Sequence, residues 1–189
     1  TLRGNKMKVF VYYEHTDNPW GGINTFFKNF KKYCLKRTDI ELVEDINSDF
    51  DIFFYGAASS GVNKEVDYEF VKNIKYNKKC LIIHRLDGLR ICYNGISVPN
   101  DYVQLKLTEL DDFIVFQSNY SLKCFMENGY ADSKWEIIYN GSDIDFFNTA
   151  KKKFRIDKRI KIISVNWSSN INKGYETIAK LSTFKKLFK

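Results

Sequence analysis

Phe113-Ile114-Val115-Phe116, followed at once by Gln117-Ser118-Asn119-Tyr120-Ser121 and then by Leu122-Lys123-Cys124-Phe125-Met126-Glu127-Asn128-Gly129, is the stretch that decides the fold. Four apolar residues in a row, without polar alternation, read as a strand covered on both faces. The Ser-Asn cluster behind them caps a helix that runs to Asn128-Gly129.

The same order recurs outward from this stretch. Lys8–Tyr13 (KVFVYY) is an apolar, β-branched and aromatic strand, and the loop Glu14–Trp20 closes on Gly21-Gly22. Ile23, Phe26, Phe27, Phe30, Tyr33 and Cys34 then recur at helical spacing, with Lys28, Lys31, Lys32 and Lys36 opposite. Ile40–Val43 and Asp51–Tyr55 read as strands and Lys64–Tyr76 as a helix. Cys80–Ile83 is a fourth strand, broken by His84-Arg85-Leu86-Asp87-Gly88, and a helix over about 100–110 leads into Phe113–Phe116. Trp135–Tyr139 is a sixth strand, and Asn140-Gly141-Ser142-Asp143 turns after it. Strand–helix alternation with fully apolar strands predicts an α/β fold over residues 1–150, a Rossmann-like parallel sheet with helices on both faces. Beyond the Lys151-Lys152-Lys153 run, Lys161–Val165 reads as a strand, Trp167–Gly174 as a polar loop and Tyr175–Leu187 as an amphipathic helix. One strand and one helix cannot bury a core of their own. Residues 151–189 are therefore expected to open a second, incomplete Rossmann-like domain.

Charge follows the same division. The 189 residues carry 30 Lys+Arg against 23 Asp+Glu, a net +7, which on its own suggests a polyanion partner. Yet residues 1–150 hold 18 basic against 21 acidic residues and residues 151–189 hold 12 against 2, leaving −3 and +10. A nucleic-acid binder carries its charge over its body, so no nucleic-acid partner is expected. Hydrophobic content of 44% with 28% charged residues excludes a disordered chain. No run of 18 apolar residues exists to cross a membrane, and Met7–Tyr13 is too short for a signal peptide. The helix Ile23–Leu35 reads as a sheet-covering helix, and its Lys-rich polar face also fits peripheral contact with a membrane surface. Cys34, Cys80, Cys92 and Cys124 show neither CxxC spacing nor a neighbouring His. They read as buried small hydrophobes in a reducing cytoplasm.

Candidate chemistry gathers where strands end. Gly21-Gly22, Gly56–Gly61, His84–Gly88 and Ser118–Ser121 all follow strands, so they share the carboxyl edge, where open parallel sheets take ligands. Gly21-Gly22 stands before a helix and offers bare N–H groups to a phosphate or a sugar hydroxyl, or is a plain turn. It is neither GxGxxG nor a P-loop, which argues against dinucleotide and simple triphosphate binding. His84-Arg85-Leu86-Asp87 puts an imidazole, a guanidinium and a carboxylate at one strand end. These are ligand groups, or else an Arg–Asp pair stiffening the loop beside a satisfied His. His15 reads as an exposed loop residue. Asp49-Phe50-Asp51 and Asp111-Asp112 precede their strands, and the latter reads as a solvated acidic turn. Lys173-Gly174, before the last helix, is a natural diphosphate site or an ordinary surface Lys. No spacing suits a metal or a nucleophilic triad.

In order along the chain, KVFVYY with Gly21-Gly22-Ile23, CLIIHRLDG, FIVFQSNYSLKCFMENGY, WEIIYNGSDIDFFN and KIISVNWSSNINKGYETI resemble the N-terminal half of a family 4 glycosyltransferase of the GT-B type. The resemblance spans about residues 7 to 180. Tyr139-Asn140-Gly141-Ser142-Asp143 looks like that family's I-x-N-G-V-D stretch between its domains, with Ser142 where Val is usual. It implies transfer of a sugar from a nucleotide-sugar donor to a glycan, lipid-linked or other acceptor, with retention of configuration and without a metal or other cofactor. His84 would contact the donor sugar near the reacting centre. Gly21 and Gly22 would approach the donor phosphate or the acceptor. Lys173 with Gly174 would neutralise the diphosphate. On their position at the strand ends alone, Arg85 and Asp87 are further candidates on the acceptor side, and Ser118 and Asn119 candidates for substrate binding. The family's Glu-x7-Glu segment has no counterpart before Lys189, so the chain is expected to need a C-terminal domain or partner chain and to be inactive alone. The competing expectation is a stand-alone Rossmann-like module that binds a glycan or a protein without catalysis.

Overall fold

The computed structural model describes residues 6–17, 21–56, 66–131, 134–145, 147 and 174–183. The chain divides into two compact units, Thr1–Asp143 and Ile144–Lys189. In the first, a six-stranded parallel sheet is built from β1 (Met7–Tyr12), β2 (Ile40–Val43), β3 (Ile52–Gly56), β4 (Leu81–Leu86), β5 (Phe113–Phe116) and β6 (Trp135–Ile137), in the order β2-β1-β3-β4-β5-β6. The helices are α1 (Gly21–Cys34), α2 (Tyr68–Asn77), α3 (Arg90–Asn94), α4 (Pro99–Leu107) and α5 (Asn119–Glu127). Within the second unit, the described residues include α6 (Tyr175–Thr183), preceded by Gly174 at φ 76°. No described helix is long and apolar enough to cross a membrane.

The order follows from connection chirality. The step from β1 to β2 through α1 runs one way along the sheet, and every step after β3 runs the other. Right-handed crossovers then place α1 on one face and α2, α4 and α5 on the opposite one. Strand residues alternate accordingly. Val9, Val11 and Phe54 pack with Phe27 of α1. Phe10, Phe53, Tyr55 and Ile82 face Val71 and Ile74 of α2 and Leu107 of α4. That second layer continues through Leu86, Ile114 and Phe116 to Leu122 and Phe125 of α5. The chain's direction along the sheet reverses between β1 and β3, which is where doubly wound sheets open their ligand crevice at the carboxyl edge.

One glycine sets how close α1 comes to that edge. A Cβ at Gly56, the last residue of β3, would stand 2.5 Å from Phe27 Cε2 and 3.2 Å from Ile23 Cδ1. Phe27 is fully buried and stacked on Tyr13 at 4.5 Å, so it has little room to yield. Gly56→Ala is expected to cost about 1–3 kcal/mol through overpacking. A denaturant titration checks it, since unchanged stability would contradict this packing.

Several expectations need correction. β4 does not break after Ile83 but continues through His84, Arg85 and Leu86, because both polar residues find partners inside the fold. α3 was not expected, since five residues are too few for periodicity to show. Cys34 is a buried thiol as expected and Cys80 a half-buried one, but Cys92 and Cys124 form a disulfide, bringing α3 onto α5. The expected strand Lys161–Val165, the Lys151–Lys153 run and residues 57–61 of the polar cluster after β3 lie outside the described residues.

Candidate functional site

The two polar residues of β4 point to opposite faces. His84 pairs in register with Tyr55 of β3 and Ile114 of β5, on the face that carries α2 and α4. Its side chain is 0% exposed. Nδ1 lies 2.8 Å from Asp111 Oδ2, and the ring stacks on Tyr55 at 4.0 Å. Tyr55 Oη donates to Asp111 Oδ1 at 2.7 Å, while His84 Nε2 has no hydrogen-bond partner among the described residues. Burial pushes the Asp111 carboxyl above the usual carboxylate range against the opposing pull of His84. Burial also drives the Tyr55 phenol well above its ordinary value, helped by the Asp111 charge. Asp111 is thus no solvated turn but the centre of a buried His–Asp–Tyr group. Its neighbour Asp112 accepts from Ile82 N at 2.9 Å and pairs with Lys75 at 3.1 Å. His84 is sealed within this group and does not line the open edge.

Arg85 faces α1 and organises that edge. Its guanidinium stands 4.0 Å over the Phe26 ring. Nη1 donates to Asp87 Oδ1 at 2.5 Å, and Nη2 donates to Asn140 Oδ1 at 2.8 Å and Gln117 Oε1 at 3.3 Å. Asn140 Nδ2 in turn donates to Gln117 Oε1 at 3.1 Å. One buried cation therefore ties together the carboxyl ends of β4, β5 and β6. The Arg–Asp pair foreseen as a loop stiffener is present, and it is also the hub of a wider set.

Asp87 is the exposed product of this arrangement. Its carboxylate is 34% exposed, and among the described residues none donates to Oδ2. The backbone behind it is pinned, because its carbonyl accepts from Gln117 Nε2 at 2.6 Å and from Ser121 Oγ at 2.8 Å. Ser118 Oγ accepts from Ser121 N at 3.1 Å and caps α5, while Asn119 Nδ2 donates to Tyr139 Oη at 3.0 Å. Burial raises the phenols of Tyr13 and Tyr93, and the nearby Asp87 charge raises both further. Tyr93 sits so close to the next residue that a Cβ on Gly88 would come within 2.2 Å of its hydroxyl.

Of the remaining sequence candidates, Gly21 opens α1 at φ 59°, at the same sheet edge. A Cβ on Gly22 would meet nothing within 4 Å, so packing does not demand that glycine. His15 is exposed, as expected. Gly174 belongs to the second unit, and Lys173 lies outside the described residues. Gln117, Asn140, Tyr13 and Tyr93 are not among the site residues expected from the sequence. Gln117 directly follows β5 and Asn140 lies three positions past β6, and that place after a strand is the signal that marks them. A depression of about 450 Å³ lined by Tyr102, Lys106, Asn128 and Tyr130 lies at the amino edge, away from Asp87. Among the described residues no group of three or more His, Cys, Asp or Glu could hold a metal ion.

The edge therefore presents a one-third exposed carboxylate, held by amide side chains and flanked by phenols. No protein-family model, curated protein or solved structure matches the chain.

Proposed function

We propose that the first unit is the acceptor-side domain of a retaining GT-B-type glycosyltransferase, and that a sugar acceptor docks on the carboxyl edge around Asp87. The single observation that carries this reading is the 34%-exposed carboxylate of Asp87, fixed by the buried Arg85 at the edge where doubly wound sheets take ligands. In this reading Asp87 accepts hydrogen bonds from acceptor hydroxyls, and Arg85, Gln117 and Ser121 position it. Asn119 and Ser118 extend the contact along the head of α5. Gly21 and Gly22 offer N–H groups at the head of α1. His84 is held by Asp111 and Tyr55 inside the domain and is given no contact with the ligand. The nucleotide-sugar donor is assigned to the second unit, with its diphosphate at Lys173 and Gly174. Gly174 stands at the head of α6 in the left-handed conformation, which supports that part. A cytoplasmic site of action, with the Lys face of α1 toward a membrane surface, completes the reading.

Calorimetric titration of the chain with a panel of mono- and disaccharides tests it. Asp87→Asn removes the charge but keeps the shape, and is expected to weaken saccharide binding at least about tenfold, as loss of a charge-assisted hydrogen bond does. Equal affinity in the variant, or no saccharide bound by the native chain, would count against the reading.

A further inference from the structure

We propose that Cys92 and Cys124 form a dithiol–disulfide switch that sets how firmly α3 holds Tyr93 against the Asp87 loop. Besides the bond, α3 is held to the core by the partly buried Ile91 and Cys92, next to the fully buried Leu89. The helix has five residues, none of them buried, and its N-cap Leu89 contributes no side-chain hydrogen bond. A helix this short has no stability of its own. Its attachments are made at its ends and edges. Asp101 accepts from Arg90 N at 2.7 Å and from Ile91 N at 3.0 Å. Tyr120 Oη donates to the Cys92 carbonyl at 2.8 Å, and the Tyr93 and Tyr120 rings lie 6.0 Å apart. The covalent tie runs from Cys92 to Cys124 on α5, which is 3% exposed and packed with Leu122 and Phe125. One end of the bond is therefore buried in the core, and the other carries a helix that meets the core through the partly buried Ile91 and Cys92.

The residue beside Cys92 gives the tie its consequence. Tyr93 leans on Gly88 so closely that a Cβ there would have to push its ring aside, and Gly88 follows Asp87. Both sides of the Asp87 loop thus depend on the bridged helices, with α5 supplying Ser121 and α3 supplying Tyr93. Opening the bond leaves the α5 side in place and loosens the α3 side. Regions of this kind, with few buried contacts, open locally at low cost.

The chemistry balances with a dithiol reductant. One thiolate of the reductant attacks Cys92 Sγ, the more accessible sulfur, forming a mixed disulfide and expelling the Cys124 thiolate, which takes up a proton. The second thiol of the reductant attacks its own sulfur in the mixed bond, closes the reductant's disulfide and releases Cys92 as a thiol. Two electrons and two protons pass to the pair. Cys34 and Cys80 are thiols whose pKa values burial raises, so they are poor competitors in exchange.

Amide hydrogen exchange on the full chain, air-oxidised and then reduced with dithiothreitol, tests the proposal without any sugar ligand. Reduction is expected to speed exchange of the Arg90–Gly95 amides at least about tenfold while Ile82 and Ile114 change less than about twofold. A Cys92→Ser, Cys124→Ser double variant is expected to match the reduced protein and to ignore dithiothreitol. Three results would overturn the proposal. They are four titratable thiols after oxidation, identical exchange in both redox states, or a general loss of protection that includes β4 and β5. The last would make the bond a staple of the whole domain rather than a local switch.

Discussion

Asp111→Ala is expected to cost the first unit about 3–5 kcal/mol, the penalty for removing one partner of a buried polar pair. The side chains of Asp111 and His84 are both 0% exposed, and Tyr55 is equally buried. With the carboxylate gone, the Tyr55 hydroxyl and His84 Nδ1 both lose their partner at once, in a place water does not reach. Among the described residues His84 Nε2 has no partner either, so none of them offers the group a replacement bond. Asp111→Asn keeps an acceptor for Tyr55 and is expected to lose less, about 1–2 kcal/mol. The same pair of proteins carries a pH signature. Burial holds the Asp111 carboxyl above its unfolded value. Between those two values the native state binds more protons than the unfolded chain, so stability falls as pH rises through that window. Denaturant titrations from pH 4 upward should show that slope in the native protein, and Asp111→Asn should flatten it. A pH-independent difference between the two would contradict the assignment.

Arg85→Met is expected to be the second costly change, at about 2–3 kcal/mol, below the usual range for a broken buried pair because Asp87 keeps contact with water. Methionine fills much of the volume beside Phe26 but offers no donor to Asp87, Asn140 or Gln117. The loss should also be local. Asn140 and Gln117 retain their mutual bond, whereas the carboxylate is freed, so a ligand that needs a fixed Asp87 should bind more weakly even where the domain remains folded. Denaturation curves give the first effect, and saccharide titration below the transition gives the second.

The fold was legible where apolar runs were unambiguous. Phe113–Phe116 and Ile40–Val43 stand out as short apolar or β-branched runs between polar turns, and Ser118 is a strong cap that does cap α5. β4 was misread because His84 and Arg85 look like the end of a strand. The partners that allow them inside, Asp111, Gln117 and Asn140, lie far along the chain, 27 positions away for Asp111 and 55 for Asn140. Asp111 was misread for the same reason, since only its tertiary partners distinguish it from an acidic turn. The disulfide joins cysteines 32 positions apart with no local motif. The carboxyl edge itself was legible, because its position follows from strand order. Which side chains of His84-Arg85-Leu86-Asp87 face that edge was not, because strand parity beyond Ile83 depends on the strand continuing.

The most direct test of a sugar site around Asp87 is amide chemical-shift mapping of the full chain, titrated with mono- and disaccharides and with UDP- and GDP-sugars. The largest shifts are expected at Asp87, Gly88, Gln117 to Ser121 and Asn140 with at least one saccharide, and are expected to be lost in Asp87→Asn. Shifts confined to the amino edge around Tyr102 and Asn128, or no shift with any of these compounds, would contradict a sugar site around Asp87.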